Sequence, residues 1–220
     1  MEISFNNLRY GNLNRNDLIT ASKKCLGDKA LPSILKQLSK LDFPENYSKT
    51  TRHELNEISS KLKSISSPES KDYLQKYLKY DRSIEQSIAS EFHTKGVDVE
   101  DLIFNIIDDI EPVIFKLKEK FQRPRPFQLG NIYKLKIFPF KSYNSSSPSY
   151  PSGHAIIACV ILNVIGNRNP EFYEFSNKLK DEICKSRIYL GLNYQSDIDA
   201  SYFISDEILN LKEFIEKYKL

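Results

Sequence analysis

Residues 98–121, DVEDLIFNIIDDIEPVIFKLKEKF, decide the fold class. Leu102, Ile103, Ile106, Ile107, Ile110, Val113, Ile114, Leu117 and Phe121 recur at helical intervals and share one face of a helix of roughly six turns. Asp98 opens it, and Pro112 bends it without ending it. Upstream, Leu55, Ile58, Leu62 and Ile65 predict a surface helix that ends near Ser66-Ser67-Pro68. Leu74, Leu78, Ile84, Ile88 and Phe92 then carry a helical pattern from Asp72 until Lys95-Gly96 stops it. Downstream, Arg123-Pro124-Arg125-Pro126 breaks the long helix, because each proline removes a donor and biases its predecessor to extended backbone. Residues 127–150 read as a loop, with Ile132 to Phe140 the one strand candidate. His154 to Ile165 is apolar nearly all round, which predicts a buried helix, closed by Gly166-Asn167 and Pro170. An amphipathic helix follows from Glu171 to about Leu190, and a last one from about Ser196 to Tyr218. The pattern is that of an all-α chain, a single helical-bundle domain.

The composition agrees and excludes other classes. With 220 residues, 40% of them apolar, the chain has the material for a real core, so disorder, a collagen-like fibre and a disulfide-stapled miniprotein are set aside. Lys and Arg number 32 against 29 acids, interspersed, which leaves no nucleic-acid footprint. The first residues carry no export signal, and the longest apolar run, Ala155 to Val164, is about half of the ~20 residues a membrane helix needs. A soluble, cytoplasmic protein without membrane insertion is expected. Cys25, Cys159 and Cys184 are odd in number and far apart, which reads as free thiols, with no metal site and no disulfide frame. The histidines are three: His53, His93 and His154, the first two in strongly polar, surface-like settings.

Three polar clusters interrupt the apolar patterns. The first is Lys118-x6-Arg125-Pro126, with Lys118 at the edge of the apolar face and Arg125 where the helix breaks. The second is Pro151-Ser152-Gly153-His154, a small-residue turn running into the most apolar helix. Such a turn aims backbone N–H groups and the positive dipole end at one spot, an anion site or a plain cap. The third is Ser186-Arg187-x5-Asn193-x3-Asp197. Arg187 continues the Leu179 and Ile183 stripe into the core and so needs an acid or a phosphate. Asn193 and Asp197 share a face if the helix persists past Gly191. Together, three cations and a helix N-terminus are what stabilising a phosphoryl group requires.

These motifs resemble those of the type 2 phosphatidic acid phosphatase and vanadium haloperoxidase superfamily. Their contexts, Arg125-Pro126-Phe127, Ser149-Tyr150-Pro151-Ser152-Gly153-His154 and Gln195-Ser196-Asp197, are most similar to its soluble bacterial class A acid phosphatases. The resemblance covers residues 118–197 directly and residues 71–220 in layout. Residues 1–70 form an N-terminal helical segment without a recognised match. What the resemblance implies is a helical bundle with a phosphate-binding site in its core and no cofactor. Lys118, Arg125 and Arg187 then bind phosphate oxygens, Ser152 and the Gly153 N–H add donors, and His154 protonates the leaving group.

In that family a histidine of the third motif attacks phosphorus and is held by the aspartate four residues on. The corresponding positions here are Asn193 and Asp197. An amide nitrogen has its lone pair delocalised into the carbonyl, so Asn193 is able to bind an oxyanion but not to form a phosphohistidine-type intermediate. The expected protein is an acid-phosphatase-like domain that binds phosphate or a phosphomonoester and is catalytically impaired. Three alternatives stay open: an active phosphatase using water or another nucleophile, an inactivating change of a natural histidine, and a non-catalytic structural or interaction protein on the same fold.

Overall fold

A computed structural model describes residues 30–142 and 145–220; Cys25 lies outside them. Among the described residues there are ten α-helices and no strand. They are α1 (Ala30–Leu38), α2 (Lys49–Ile65), α3 (Lys71–Arg82), α4 (Ile84–His93), α5 (Glu100–Phe121), α6 (Pro126–Ile132), α7 (Gly153–Arg168), α8 (Tyr173–Tyr189), α9 (Gln195–Leu209) and α10 (Lys212–Tyr218). The all-α expectation holds.

α7 is the axis of the bundle. Its Ala155, Ile156, Ala158, Cys159, Val160, Ile161, Leu162, Val164 and Ile165 are all buried, so every side of the helix must be covered. α8 and α9 pack on it most extensively and α5 adds a further wall. The long α5 contributes Ile103, Ile106, Ile110, Val113, Ile114 and Leu117 to this core, with Pro112 inside the helix as expected. Ile34 and Leu38 of α1 enter the same core, while Leu55, Ile58 and Leu62 of α2 pack with Leu129, Ile137 and Tyr194 in a second cluster. Residues 30–70 are therefore wedged into the bundle formed by residues 71–220.

The boundaries differ from the sequence reading in four places, each for a local reason. The pattern from Asp72 to Phe92 splits into α3 and α4, because the Ser83 side chain accepts the Gln86 N–H and caps a new helix. The stretch read as a loop from residue 127 begins with a helix, α6. Pro126 stands at its first position, where its missing N–H costs nothing, and Gln128 reaches back to the Arg125 N–H at 2.8 Å. The strand expected over Ile132 to Phe140 is absent: the segment is the end of α6 followed by an irregular connection. The last helix is two, α9 and α10, parted at Asn210-Leu211.

The end of α8 sets up the site. Gly191 takes φ +73°, its N–H bonds to the Ile188 carbonyl at 2.9 Å, and the Leu192 N–H bonds to the Arg187 carbonyl at 3.0 Å. This pair of bonds is a Schellman stop, which needs glycine at the left-handed position. Helix therefore does not persist from Arg187 to Asp197. Asn193 sits in the connection, and Asp197 lies in the first turn of α9.

Candidate active site

All the residues singled out in the three motifs converge. A cavity of about 130 Å³ is lined by Lys118, Arg125, Ser152, Gly153, His154, Arg187 and Asn193, with Glu111, Ile114, Phe115, Ser147 and Ile157 completing the wall. Asp197 is fully buried directly behind Asn193. Each motif arrives from its own element: Lys118 from the last turn of α5, Arg125 from the cap of α6, Ser152 to His154 from the start of α7, Arg187 from the last turn of α8. Gly153 lets the α7 N-terminus press in, since a Cβ there would meet Ile114 Cγ2 at 3.3 Å and Lys118 Cε at 3.7 Å.

Asn193 is the hub. Its Nδ2 donates to the Ser149 carbonyl at 2.7 Å and to Asp197 Oδ2 at 3.1 Å, while its Oδ1 accepts from Arg125 Nη1 and from the Ser152 hydroxyl, both at 3.4 Å. Two acceptors on one side and two donors on the other fix which end of the amide is nitrogen. In this arrangement both N–H groups of Asn193 are spent on protein acceptors, and its carbonyl oxygen faces the donors. The Ser152 N–H is likewise taken, by the Ser201 hydroxyl at 3.1 Å, which leaves the Gly153 N–H as the first helix-start donor for the cavity.

The cations are held mainly by groups that the motifs do not single out. Arg187 Nη1 bonds Asp81 Oδ1 at 2.7 Å, so the acid that a core-facing arginine requires comes from the end of α3. Arg125 donates to the Ser147 carbonyl at 2.8 Å and the Leu192 carbonyl at 2.7 Å, and the Lys118 amine to the Pro148 carbonyl. A fourth cation, Arg123, is 1% exposed and belongs to the supporting layer. It bonds Asp197 Oδ1 at 2.6 Å and Glu54 Oε2 at 3.1 Å, lies 3.8 Å from the Tyr194 ring centroid, and shares Ser196 with Glu54. The sequence motifs do not single out Asp81, Arg123, Glu54 or Ser201. The Arg-Pro-Arg-Pro doublet is the available signal for Arg123, and the need of Arg187 for an acid is the signal for Asp81. His53 and His93 are exposed, as their polar settings suggest.

The cavity is electrostatically unbalanced. Burial, then the neighbouring charge of Arg125, pushes Lys118 well below the ordinary lysine range. Burial, then Arg187, brings Arg125 down to about 10. Burial also takes His154 well below its usual value, with Arg187, Arg125 and Lys118 adding to it and the Asp81 backbone opposing it. Among the described residues, two buried nitrogens have no hydrogen-bond partner, His154 Nε2 and Arg187 Nε. Buried polar groups left unpaired are costly, and a negatively charged guest would offset the mutual repulsion of Lys118, Arg125 and Arg187.

The similarities to known proteins follow the same line. The chain is 32% identical over 111 residues to a non-specific acid phosphatase from Providencia stuartii, a match covering 49% of this chain and 44% of that protein. In structure it is similar to a transmembrane PAP2-type phosphatidylglycerolphosphate phosphatase from Bacillus subtilis, with TM-score 0.54 and 19% identity over 86% of this chain and 95% of that one. The match spans less than half of the length of the acid phosphatase, and the likeness to the membrane enzyme is one of fold. No family model matches the chain. Among the described residues no helix is long and apolar enough to cross a membrane.

Proposed function

We propose that the chain is an acid-phosphatase-like domain that binds phosphate or a phosphomonoester and turns it over poorly. The observation that carries the binding half is the cavity itself: three cations, a helix-start N–H and two unpartnered buried nitrogens around about 130 Å³. That volume is small beside the roughly 300–1,000 Å³ of an ordinary small-molecule site. It suits a phosphoryl group, with the alcohol part of an ester left at the mouth beside Phe115 and Ile157.

The chemical half follows from which roles are filled. Lys118, Arg125 and Arg187 offset the oxygens' charge and the Gly153 N–H adds a dipole. His154 lines the cavity, and its Nε2 is buried without a partner. It is neutral while the site is empty, and a phosphate dianion brings it back toward the protonated form that a leaving-group acid requires. The role left unfilled is the phosphoryl acceptor. Asn193 stands there with its nitrogen lone pair delocalised and its N–H groups bound to Ser149 and Asp197.

One observation favours a second reading, water attack. The unpartnered Nε2 of neutral His154 is an acceptor for a water molecule in the cavity, a weak base beside three cations and a stronger one once a phosphate dianion offsets them. The test is hydrolysis of para-nitrophenyl phosphate from pH 5 to 8 by the protein and by Asn193→His. Turnover gained only in the variant supports impairment, and robust turnover by the unchanged chain overturns it in favour of water attack. Thermal-shift titration with phosphate or vanadate tests binding separately; no stabilisation by either anion would favour a purely structural role.

A further inference from the structure

Away from the cavity, α7 and α8 run antiparallel in a register marked by successive contacts. Asn163 accepts from Lys180 Nζ at 3.3 Å, Cys159 Sγ lies 4.0 Å from Cys184 Sγ, and Ala155 packs in one cluster with Ile188. Each step moves four residues down α7 and four up α8, so the two thiols are held face to face by contacts on either side. Close helix approach is built in, since a Cβ at Gly166 would meet Ser176 Cβ at 3.5 Å. Both cysteines are free and buried, enclosed by Ala155 and Ile198, with the half-buried Ile188 and Tyr202 on the outer side.

We propose that Cys159 and Cys184 are a redox-active dithiol that closes reversibly into a disulfide between α7 and α8. A disulfide needs its sulfurs at about 2.05 Å, so closure requires an approach of about 2 Å, which χ1 rotation of the two side chains and a slight slide of the helices supply. The two thiols are unequal. The hydrogen bond from Cys159 lowers the pKa of Cys184 despite its burial, with Tyr202 adding to it, while the same bond and burial raise that of Cys159. Cys184 is accordingly written as the thiol that ionises and attacks and Cys159 as the one that resolves; either order gives the same disulfide.

With hydrogen peroxide as oxidant, the Cys184 thiolate takes one peroxide oxygen to give a sulfenic acid and hydroxide, which becomes water on protonation. Cys159 sulfur then displaces the sulfenic oxygen as a second water. Two thiols lose two electrons and two protons, and one peroxide becomes two waters. With glutathione disulfide the same pair yields two molecules of glutathione. The crosslink falls one helical turn from the level of His154 and Arg187, so it fixes the spacing of the helices that carry them.

The experiment uses the full chain with Cys25→Ser, treated with hydrogen peroxide or glutathione disulfide, then thiol titration, non-reducing peptide mapping and thermal denaturation. The expected result is loss of both remaining thiols together, a Cys159–Cys184 crosslinked peptide, reversal by dithiothreitol, and a Tm higher by roughly 5–10 °C in the oxidised form. Cys159→Ala and Cys184→Ala should each abolish that rise. Thiols that stay unreacted, or that oxidise singly to sulfinic and sulfonic acids without a crosslink, would overturn the proposal. Should Cys25→Ser fold poorly, peptide mapping of the unsubstituted protein distinguishes the same outcomes. The effect on the anion site rests on the proposed function, and sulfate titration separates the two: no response in either redox form counts against the anion site and leaves the dithiol standing.

Discussion

Asn193 Nδ2 donates to Asp197 Oδ2 at 3.1 Å, and the same carboxylate oxygen accepts the Tyr194 N–H at 2.9 Å. Asp197 is thus an orienting acid with its other oxygen on Arg123 at 2.6 Å, and what it orients is an amide. An imidazole N–H placed at residue 193 would find the same acceptor waiting, with its second nitrogen directed away from it. Asn193→His is therefore expected to raise hydrolysis of para-nitrophenyl phosphate by at least about 100-fold, a conservative figure for supplying a missing nucleophile. Steady-state rates of the two proteins decide it, and equal rates would remove Asn193 as the cause of impairment.

Arg187 and Asp81 form a buried pair, 1% and 3% exposed. Removing the carboxylate charge leaves a guanidinium uncompensated, a loss of about 3–5 kcal/mol for pairs of this kind. Asp81→Asn should therefore lower stability in urea by that order. It should also enlarge the stabilisation by sulfate, because an anion in the cavity replaces the missing charge. A sulfate response no larger than that of the unchanged protein would show that Asp81 and the anion do not compete for Arg187.

The cavity-lining roles of Arg187 and His154 differ in the same way. Arg187 brings a charge to the anion, whereas His154 in the empty site brings a neutral ring. Arg187→Ala should abolish the phosphate-induced thermal shift, and His154→Ala should largely preserve it. Equal losses in the two variants would contradict this division.

How much of the molecule is legible in its sequence depends on whether a signal is periodic or positional. The apolar faces of α5 and α8 are periodic and α7 is a nearly unbroken apolar run, and these helices lie where the patterns put them. Short elements are not: Pro126 reads as a stop yet starts α6, because the same missing N–H ends one helix and is harmless at the first position of the next. The motif residues converge because spacing within a motif is local. Asp81, the partner of Arg187, and Glu54, the partner of Arg123, come from elements distant in sequence, Ser201 meets Ser152 only through the fold, and a lone buried acid or hydroxyl has no local pattern. The hydrogen bonds of Asn193 are not legible for a related reason: the Ser149 carbonyl that captures its amide becomes a neighbour only once the chain has turned at Gly191.

Arg123 tests the supporting layer. It is the shared partner of Asp197 and Glu54, so its loss strands two carboxylates that are 0% and 6% exposed. Arg123→Met keeps most of the volume and removes the charge. The expected cost is about 3–5 kcal/mol, seen as a fall in Tm of roughly 6–20 °C for a domain of this size. Adding Glu54→Gln should recover part of the loss. A fall of only a degree or two would mean that water reaches these carboxylates and that the layer is not sealed.

The depressed pKa values of His154 and Lys118 give the empty site a pH dependence with a definite sign. Both groups bind protons less readily in the folded chain than in the unfolded one. Below the unfolded histidine value, near 6.5, the unfolded chain takes up a proton that folded His154 declines, so stability falls as pH drops through that value. Lys118 adds a slope of the same sign from its ordinary lysine value downward. A tetrahedral anion restores the affinity of both groups for protons, so its binding takes protons up and tightens as pH falls. Sulfate is the probe of choice because it stays a dianion across the range, whereas phosphate itself titrates. The sulfate-induced rise in Tm should accordingly be larger at pH 5.5 than at pH 8, and calorimetry in buffers of differing ionisation enthalpy should register proton uptake on binding. Replacing His154 by Ala should flatten the dependence around pH 6.5 while leaving the part due to Lys118. A sulfate response that grows toward pH 8 would mean that neither group faces the bound anion.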